Sequence, residues 1–276
     1  MAGDDPCPRS AHTVVSSERV RRPQSSARVG EARPLARRLL AELLGSALLA
    51  AVVIGSGISA QRLSPGDVGL ELLENAGATA AGLFALITAF GPVSGAHLNP
   101  VVSLADAWFG RLRWRHAAAY LSSQVVGCIL GAVLANLMFG LPAVALSTDR
   151  RASGAHVLAE VVATGGLLVV VFALARSGRS SKAPAAVGAY IGAAYWFTSS
   201  TSFANPAITV GRMLTKSFAG IAPSSVPAFV GAQLVGLVVG VATIRTLYPT
   251  GAKRPAVVVV PQRPVEGHPS DLRAGQ

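Results

Sequence analysis

Two short stretches place an asparagine directly before a proline inside otherwise apolar sequence. They are Ser94-Gly95-Ala96-His97-Leu98-Asn99-Pro100-Val101 and Ser202-Phe203-Ala204-Asn205-Pro206-Ala207-Ile208. Asparagine is a favoured helix N-cap, and proline suits the first helical position, where its missing N–H costs nothing. Each pair therefore predicts a helix start. Residues Ala207 to Phe218 suffice for about three turns, roughly 18 Å and half a bilayer core. Val102 to Phe109 form the counterpart after Pro100. A polar run, Thr198 to Ser202, precedes the second pair and does not suit a lipid-facing helix. Non-helical backbone at membrane depth is tolerated only where it is buried in protein or lines a water-filled cavity. One Asn-Pro pair is an ordinary turn or helix-start signal. Two half-helices in corresponding halves of a chain point instead to a conduction or binding site. A helix start offers unpaired N–H groups and about half a positive charge. A capping asparagine uses its side-chain oxygen and keeps an NH₂ to donate. Asn99 and Asn205 are thus the candidate donors into a lumen, with Pro100, Val101, Pro206 and Ala207 beside them at the midplane.

Glu42 and Glu160 are ionisable residues within apolar spans, and such residues are functional candidates by default. A proton relay through them would make a transporter, although each stands alone in its span. Gln124 and Gln233 occupy similar segments, Tyr120 to Gly127 and Phe229 to Gly236. His97 has no neighbouring carboxylate or cysteine in sequence and reads as a packing residue. Gly127, Gly131, Gly231 and Gly236 suit close helix crossings. No nucleotide-binding loop, nucleophile with its base, or metal-ligand cluster is visible, so neither an enzyme nor a cofactor is expected. Cys7 and Cys128 give no disulfide framework.

The elements that position these residues follow from composition. The 276 residues are 51% hydrophobic and 13% charged, with a mean hydropathy of +0.50. A soluble domain carries about a quarter charged residues, so the pattern is that of a polytopic membrane protein. Six spans are expected: about Leu39 to Ala60, Ala76 to Pro92, His116 to Met138, His156 to Ala175, Ala183 to Phe197 and Val226 to Leu247. An acidic loop, Asp67 to Glu74, is expected before the second. Residues 1–35 read as a disordered basic tail, 36–248 as the membrane domain, and 249–276 as a disordered C-terminal tail. Three landmarks recur in order: Glu42 with Glu160, Asn99 with Asn205, and Gln124 with Gln233. They define repeats at about 39–138 and 154–247, and three spans per repeat make the topology inverted. The fold class is therefore an all-α membrane protein of six transmembrane helices and two re-entrant half-helices. Of 24 lysines and arginines, only Arg62, Arg150, Arg151, Arg212 and Lys216 fall in loops assigned to the outer side. This positive-inside bias places both termini in the cytoplasm. It also accounts for the net charge of +11 without a nucleic-acid partner. Abundant arginine and alanine suggest a GC-rich bacterial source, and hence the inner membrane.

From about Leu39 to Tyr248 the chain resembles the major intrinsic protein family, the aquaporins and aquaglyceroporins. Its Asn99-Pro100-Val101 and Asn205-Pro206-Ala207 match the two signature loops. The resemblance implies a homotetramer in which each protomer carries its own pore for small uncharged solutes. Glycerol, water and neutral metalloid acids such as arsenous acid are the candidates. The last follows from the likeness of Asn205 to Arg212, and of Phe218 to Pro223, to channels associated with bacterial arsenic resistance. It further implies that Glu42 and Glu160 hold the re-entrant loops by accepting backbone N–H groups, with Gln124, Gln233 and His97 in the same scaffold. Water-selective members combine an aromatic, a histidine and an arginine at a constriction. Ungapped counting puts Thr79, Ala193, Ser202 and Ile208 there, and Arg212 lies one helical turn further on. Such a filter would be wider and less cationic than a water-only one. A water-selective channel and a proton-coupled transporter remain the alternatives.

Overall fold

A computed structural model describes residues 33–249. The expected tails, 1–35 and 249–276, lie almost wholly outside this range. Within it, the chain forms α1 (Leu35–Leu63), α2 (Val68–Ser94), α3 (Pro100–Trp108), α4 (Trp114–Met138), α5 (Gly154–Arg176), α6 (Ala183–Phe197), α7 (Pro206–Arg212) and α8 (Val226–Leu247). Short 3₁₀ turns precede α6 and α8. Among the described residues, five helices are long and apolar enough to cross a membrane. The sixth, α6, has 15 residues, about 22 Å at 1.5 Å per residue.

Three boundaries depart from the sequence expectation. Asp67 accepts a hydrogen bond from the Leu70 N–H at 3.0 Å and caps α2. The acidic stretch expected as a loop is therefore the first turns of that helix, where carboxylates suit the positive helix end. At the other end, Gly95 adopts a left-handed φ of 94° and stops α2, as glycine does without a Cβ penalty. α1 begins at Leu35, so Arg38 is helical and only 5% exposed. α7 ends at Arg212 rather than Phe218 because its C-terminal carbonyls turn away from the helical pattern. The Arg212 carbonyl accepts from the Ile221 N–H at 3.3 Å, which folds the intervening chain back.

The packing repeats between the halves. α1 packs on α2 and α4, and α5 packs correspondingly on α6 and α8, while α2 meets α6 between the halves. Each half-helix also reaches across: α7 touches α1 and α4, and α3 touches α5 and α8. Glycine permits the closest crossings. A Cβ on Gly131 would overlap the Ala47 carbonyl, and one on Gly236 would lie 2.8 Å from that of Val161. Gly231 serves no such crossing, because a Cβ there would meet nothing within 4 Å.

Candidate functional site

The two half-helix starts meet head to head. The Asn99 Oδ1 accepts from the Val101 N–H at 3.0 Å, and the Asn205 Oδ1 accepts from those of Ala207 and Ile208 at 3.0 and 3.3 Å. The amides reach across the junction. Asn99 Nδ2 donates to the Ala204 carbonyl and Asn205 Nδ2 to the Leu98 carbonyl, each at 2.8 Å. Each NH₂ therefore spends one proton on the opposite loop and retains one. Both side chains line a single cavity that runs past the junction.

The loops entering the half-helices share an unusual backbone. Ala96 and Leu98 have φ of 45° and 49°, and Thr201, Ser202 and Ala204 have 60°, 47° and 46°. Non-glycine residues held there cost on the order of 1–3 kcal/mol each, and alternation leaves N–H groups without helical partners. Buried carboxylates take them. Glu42 Oε1 accepts from the His97 N–H at 3.0 Å and the Ser94 hydroxyl at 2.5 Å, and its Oε2 accepts from the Leu98 N–H at 2.8 Å. Glu160 accepts from the Phe203 and Ala204 N–H groups, both at 2.9 Å. Gln124 Nε2 donates to Glu42 at 2.8 Å and to the Ser103 hydroxyl at 3.0 Å. Gln233 Nε2 does the same to Glu160 at 2.7 Å and to the Thr209 hydroxyl at 2.9 Å. Ser103 and Thr209 donate onward to the carbonyls of Asn99 and Asn205 at 3.3 and 2.8 Å. The two halves thus carry one network twice.

His97 is not without a carboxylate. Its Nε2 lies 3.8 Å from Asp106 Oδ2, its Nδ1 lies 3.0 Å from the Ser103 hydroxyl, and its ring meets Tyr120 edge-on at 5.4 Å. Asp106 comes from the far end of α3, and Arg111 approaches its other oxygen at 3.5 Å.

The part of the cavity on the α7 side of the junction differs from the sequence expectation in two respects. Thr79, Ser202 and Ile208 line it, but Ala193 is exposed on the outside of α6. Ile191 and Tyr195 line it instead, in register with Val187. Ala193 stands two residues, about 200° around the helix, from both. Secondly, Arg212 is 1% exposed and lies on the cavity wall, not in an outer loop. Its guanidinium sits 3.5 Å from the centre of the Phe203 ring, and its Nε donates to the Ala219 carbonyl. The arginine one turn beyond the counted position is therefore part of the lining. Among the described residues, no group of three His, Cys, Asp or Glu could hold a metal ion.

Known proteins resemble this chain in sequence and in fold. The family model described as "Major intrinsic protein" matches residues 31–204. The chain is 49% identical over 213 residues to "Aquaglyceroporin AqpS" of Rhizobium meliloti (strain 1021), covering 77% of this chain and 91% of the relative. It is 36% identical over 162 residues to human "Aquaporin-9", covering 51% of this chain and 54% of the relative. Among solved structures, the aquaglyceroporin of Plasmodium falciparum superposes with a TM-score of 0.61 over 79% of this chain and 97% of that one. At 20% identity that likeness concerns the fold alone.

Proposed function

The chain belongs to the major intrinsic protein family, and we propose that it is a passive, bidirectional membrane channel for glycerol and other small uncharged solutes. One observation carries the reading: two half-helix starts face each other on one cavity, and each asparagine there caps its own helix, ties down the opposite loop and retains a donor. A solute hydroxyl passing the junction sheds water and accepts from Asn99 and Asn205. Aliphatic side chains such as Leu49, Leu83 and Leu167 also line the cavity. The positive ends of α3 and α7 oppose cations and proton hopping. Both carboxylates at depth already accept loop N–H groups, which supports a structural role for Glu42 and Glu160.

The name of the Rhizobium relative supports glycerol as a solute. Water and neutral trihydroxy metalloid acids such as arsenous acid share the hydrogen-bonding chemistry that the junction offers. We assign the assembly as a homotetramer in a bacterial inner membrane, with both termini cytoplasmic as the basic loops require. The test is stopped-flow light scattering on proteoliposomes, with water, glycerol and arsenite compared in one preparation. Glycerol flux well above that of empty vesicles, with no dependence on a pH gradient, is expected. Flux that follows an imposed pH gradient, or no flux above empty vesicles, would refute the channel reading.

A further inference from the structure

We infer that the ends of α5 and α8, on the side assigned to the cytoplasm, form a binding site for the headgroup of an anionic phospholipid. Arg176 and Arg245 would hold its phosphate, and an apolar stripe of α8 would take an acyl chain. The inference concerns the lipid-facing surface rather than the pore. It rests on the membrane placement above but on no particular solute.

Arg176 and Arg245 stand in the last turns of α5 and α8. α3 packs on both helices, and its end brings Trp108 and Phe109 to the same corner. The Arg176 guanidinium lies 4.6 Å from the centre of the Phe109 ring and donates to the Tyr248 carbonyl, just past α8. The Arg245 guanidinium lies 5.8 Å from the centre of the Trp108 ring. The charges that act on Arg176 are those of Arg111 and Arg245, and both repel it. Arg111 has Asp106 at 3.5 Å. Among the described residues, neither Arg176 nor Arg245 has a carboxylate within ion-pair distance.

The charge of this corner selects the ligand. The carbonyl ends of α5 and α8 supply roughly half a negative charge each, which leaves the two arginines about one negative charge short. A phosphodiester carries one, and a planar guanidinium meets two of its oxygens at once. In a zwitterionic lipid the ammonium would return a cation to a corner that already holds three. An anionic lipid therefore fits, and a zwitterionic one does not.

The surroundings fit a lipid rather than a dissolved anion. Leu234, Val238, Ala242 and Arg245 are all exposed, and their spacing of four, four and three puts them on one face of α8. From Leu234 to Arg245 that face runs about 16 Å, close to the hydrocarbon depth of one leaflet. The guanidinium thus ends an apolar track of acyl-chain length. Trp108 is 50% exposed beside it, and tryptophan favours the headgroup level of a bilayer.

The experiment uses the full chain in detergent. Phosphatidylglycerol and phosphatidylcholine with the same acyl chains are offered in equal amounts, and the lipid retained is read by native mass spectrometry. Phosphatidylglycerol should be retained in preference. Arg245→Gln and Arg176→Gln should each lower that preference about fivefold, the worth of one arginine near an anionic headgroup. Arg115→Gln is the control, an exposed arginine of the same side that is not among the charges acting on Arg176, and it should leave the preference unchanged. If Arg176→Gln, which also loses the bond to the Tyr248 carbonyl, is not monodisperse, Arg245→Gln decides alone. Equal retention of the two lipids, a preference untouched by Arg245→Gln, or an equal loss in Arg115→Gln would overturn the inference. Displacement of the lipid by excess inorganic phosphate would make this a site for a dissolved anion and overturn it as well. No flux enters the readout, so its failure leaves the channel reading standing.

Discussion

Replacing Glu160 tests what keeps the second loop in its unusual conformation. Thr201, Ser202 and Ala204 are all left-handed, an unfavourable arrangement worth roughly 3–9 kcal/mol for three residues. Glu160 offsets part of this with three accepted bonds, at Oε1 from the Phe203 N–H and at Oε2 from the Ala204 N–H and Gln233. Glu160→Gln keeps the shape but has one oxygen. With that oxygen at the Oε2 place, its NH₂ faces the Phe203 N–H, donor against donor. One buried donor is orphaned, which costs about 1–3 kcal/mol. Glu160→Ala orphans all three and leaves a void, so its cost should be at least two to three times larger, on the order of 3–9 kcal/mol. The assay is thermal unfolding in detergent, paired with glycerol flux. Gln should lower Tm by several degrees and reduce flux, and Ala should largely prevent folding. The ranking also separates the two roles considered for this carboxylate. A proton carrier would make Gln as damaging to flux as Ala while leaving Tm near wild type. Wild-type Tm and flux in Glu160→Ala would refute the reasoning altogether.

Two further outcomes are expected. Gly131→Ala drives a methyl into the Ala47 carbonyl at the α1–α4 crossing and should abolish folded protein on size-exclusion chromatography, while Gly231→Ala, which meets nothing within 4 Å, should behave as wild type. Asn205→Leu removes the cap on α7, worth about 1 kcal/mol, together with the bond to the Leu98 carbonyl; glycerol flux should fall severalfold even in the fraction that purifies folded, and normal flux would exclude Asn205 as a lumen donor.

What can be read from sequence is what sequence encodes locally or encodes twice. The long apolar runs, the two Asn-Pro starts and the recurrence of Glu, Asn and Gln need no knowledge of contacts. The apolar run from Val226 to Leu247 alone defines α8, and the structure has the helix there. Distances along the chain fail where the backbone stops being helical. Between Phe197 and Asn205 the loop spends residues on left-handed turns, so counting back from Asn205 does not fix the rotational phase of α6. That is why counting puts Ala193 in the lining and misses Tyr195, although the four-residue spacing of Val187, Ile191 and Tyr195 is available as a signal. Arg212 escapes for a related reason. Counting treats the constriction as a flat ring, whereas a half-helix that starts at the junction carries successive turns outward along the lumen. Asp106 escapes because nine residues separate it from His97, and only the turn at Asn99 brings them together.

The same consideration explains why the site depends on contacts remote in sequence. A capped helix start is a local event, but the loop leading into it is locally unfavourable at five non-glycine positions. Its conformation is held by Glu42 and Glu160, which lie in other helices and are themselves oriented by Gln124 and Gln233 from a third set. That chain of bonds is complete only where α1 meets α4 and α5 meets α8. The glycines that allow those crossings therefore act on the pore without touching it. The pore lining and the helix packing are one structure, and a substitution at Gly131 should reach Asn99 through Gln124 and Glu42.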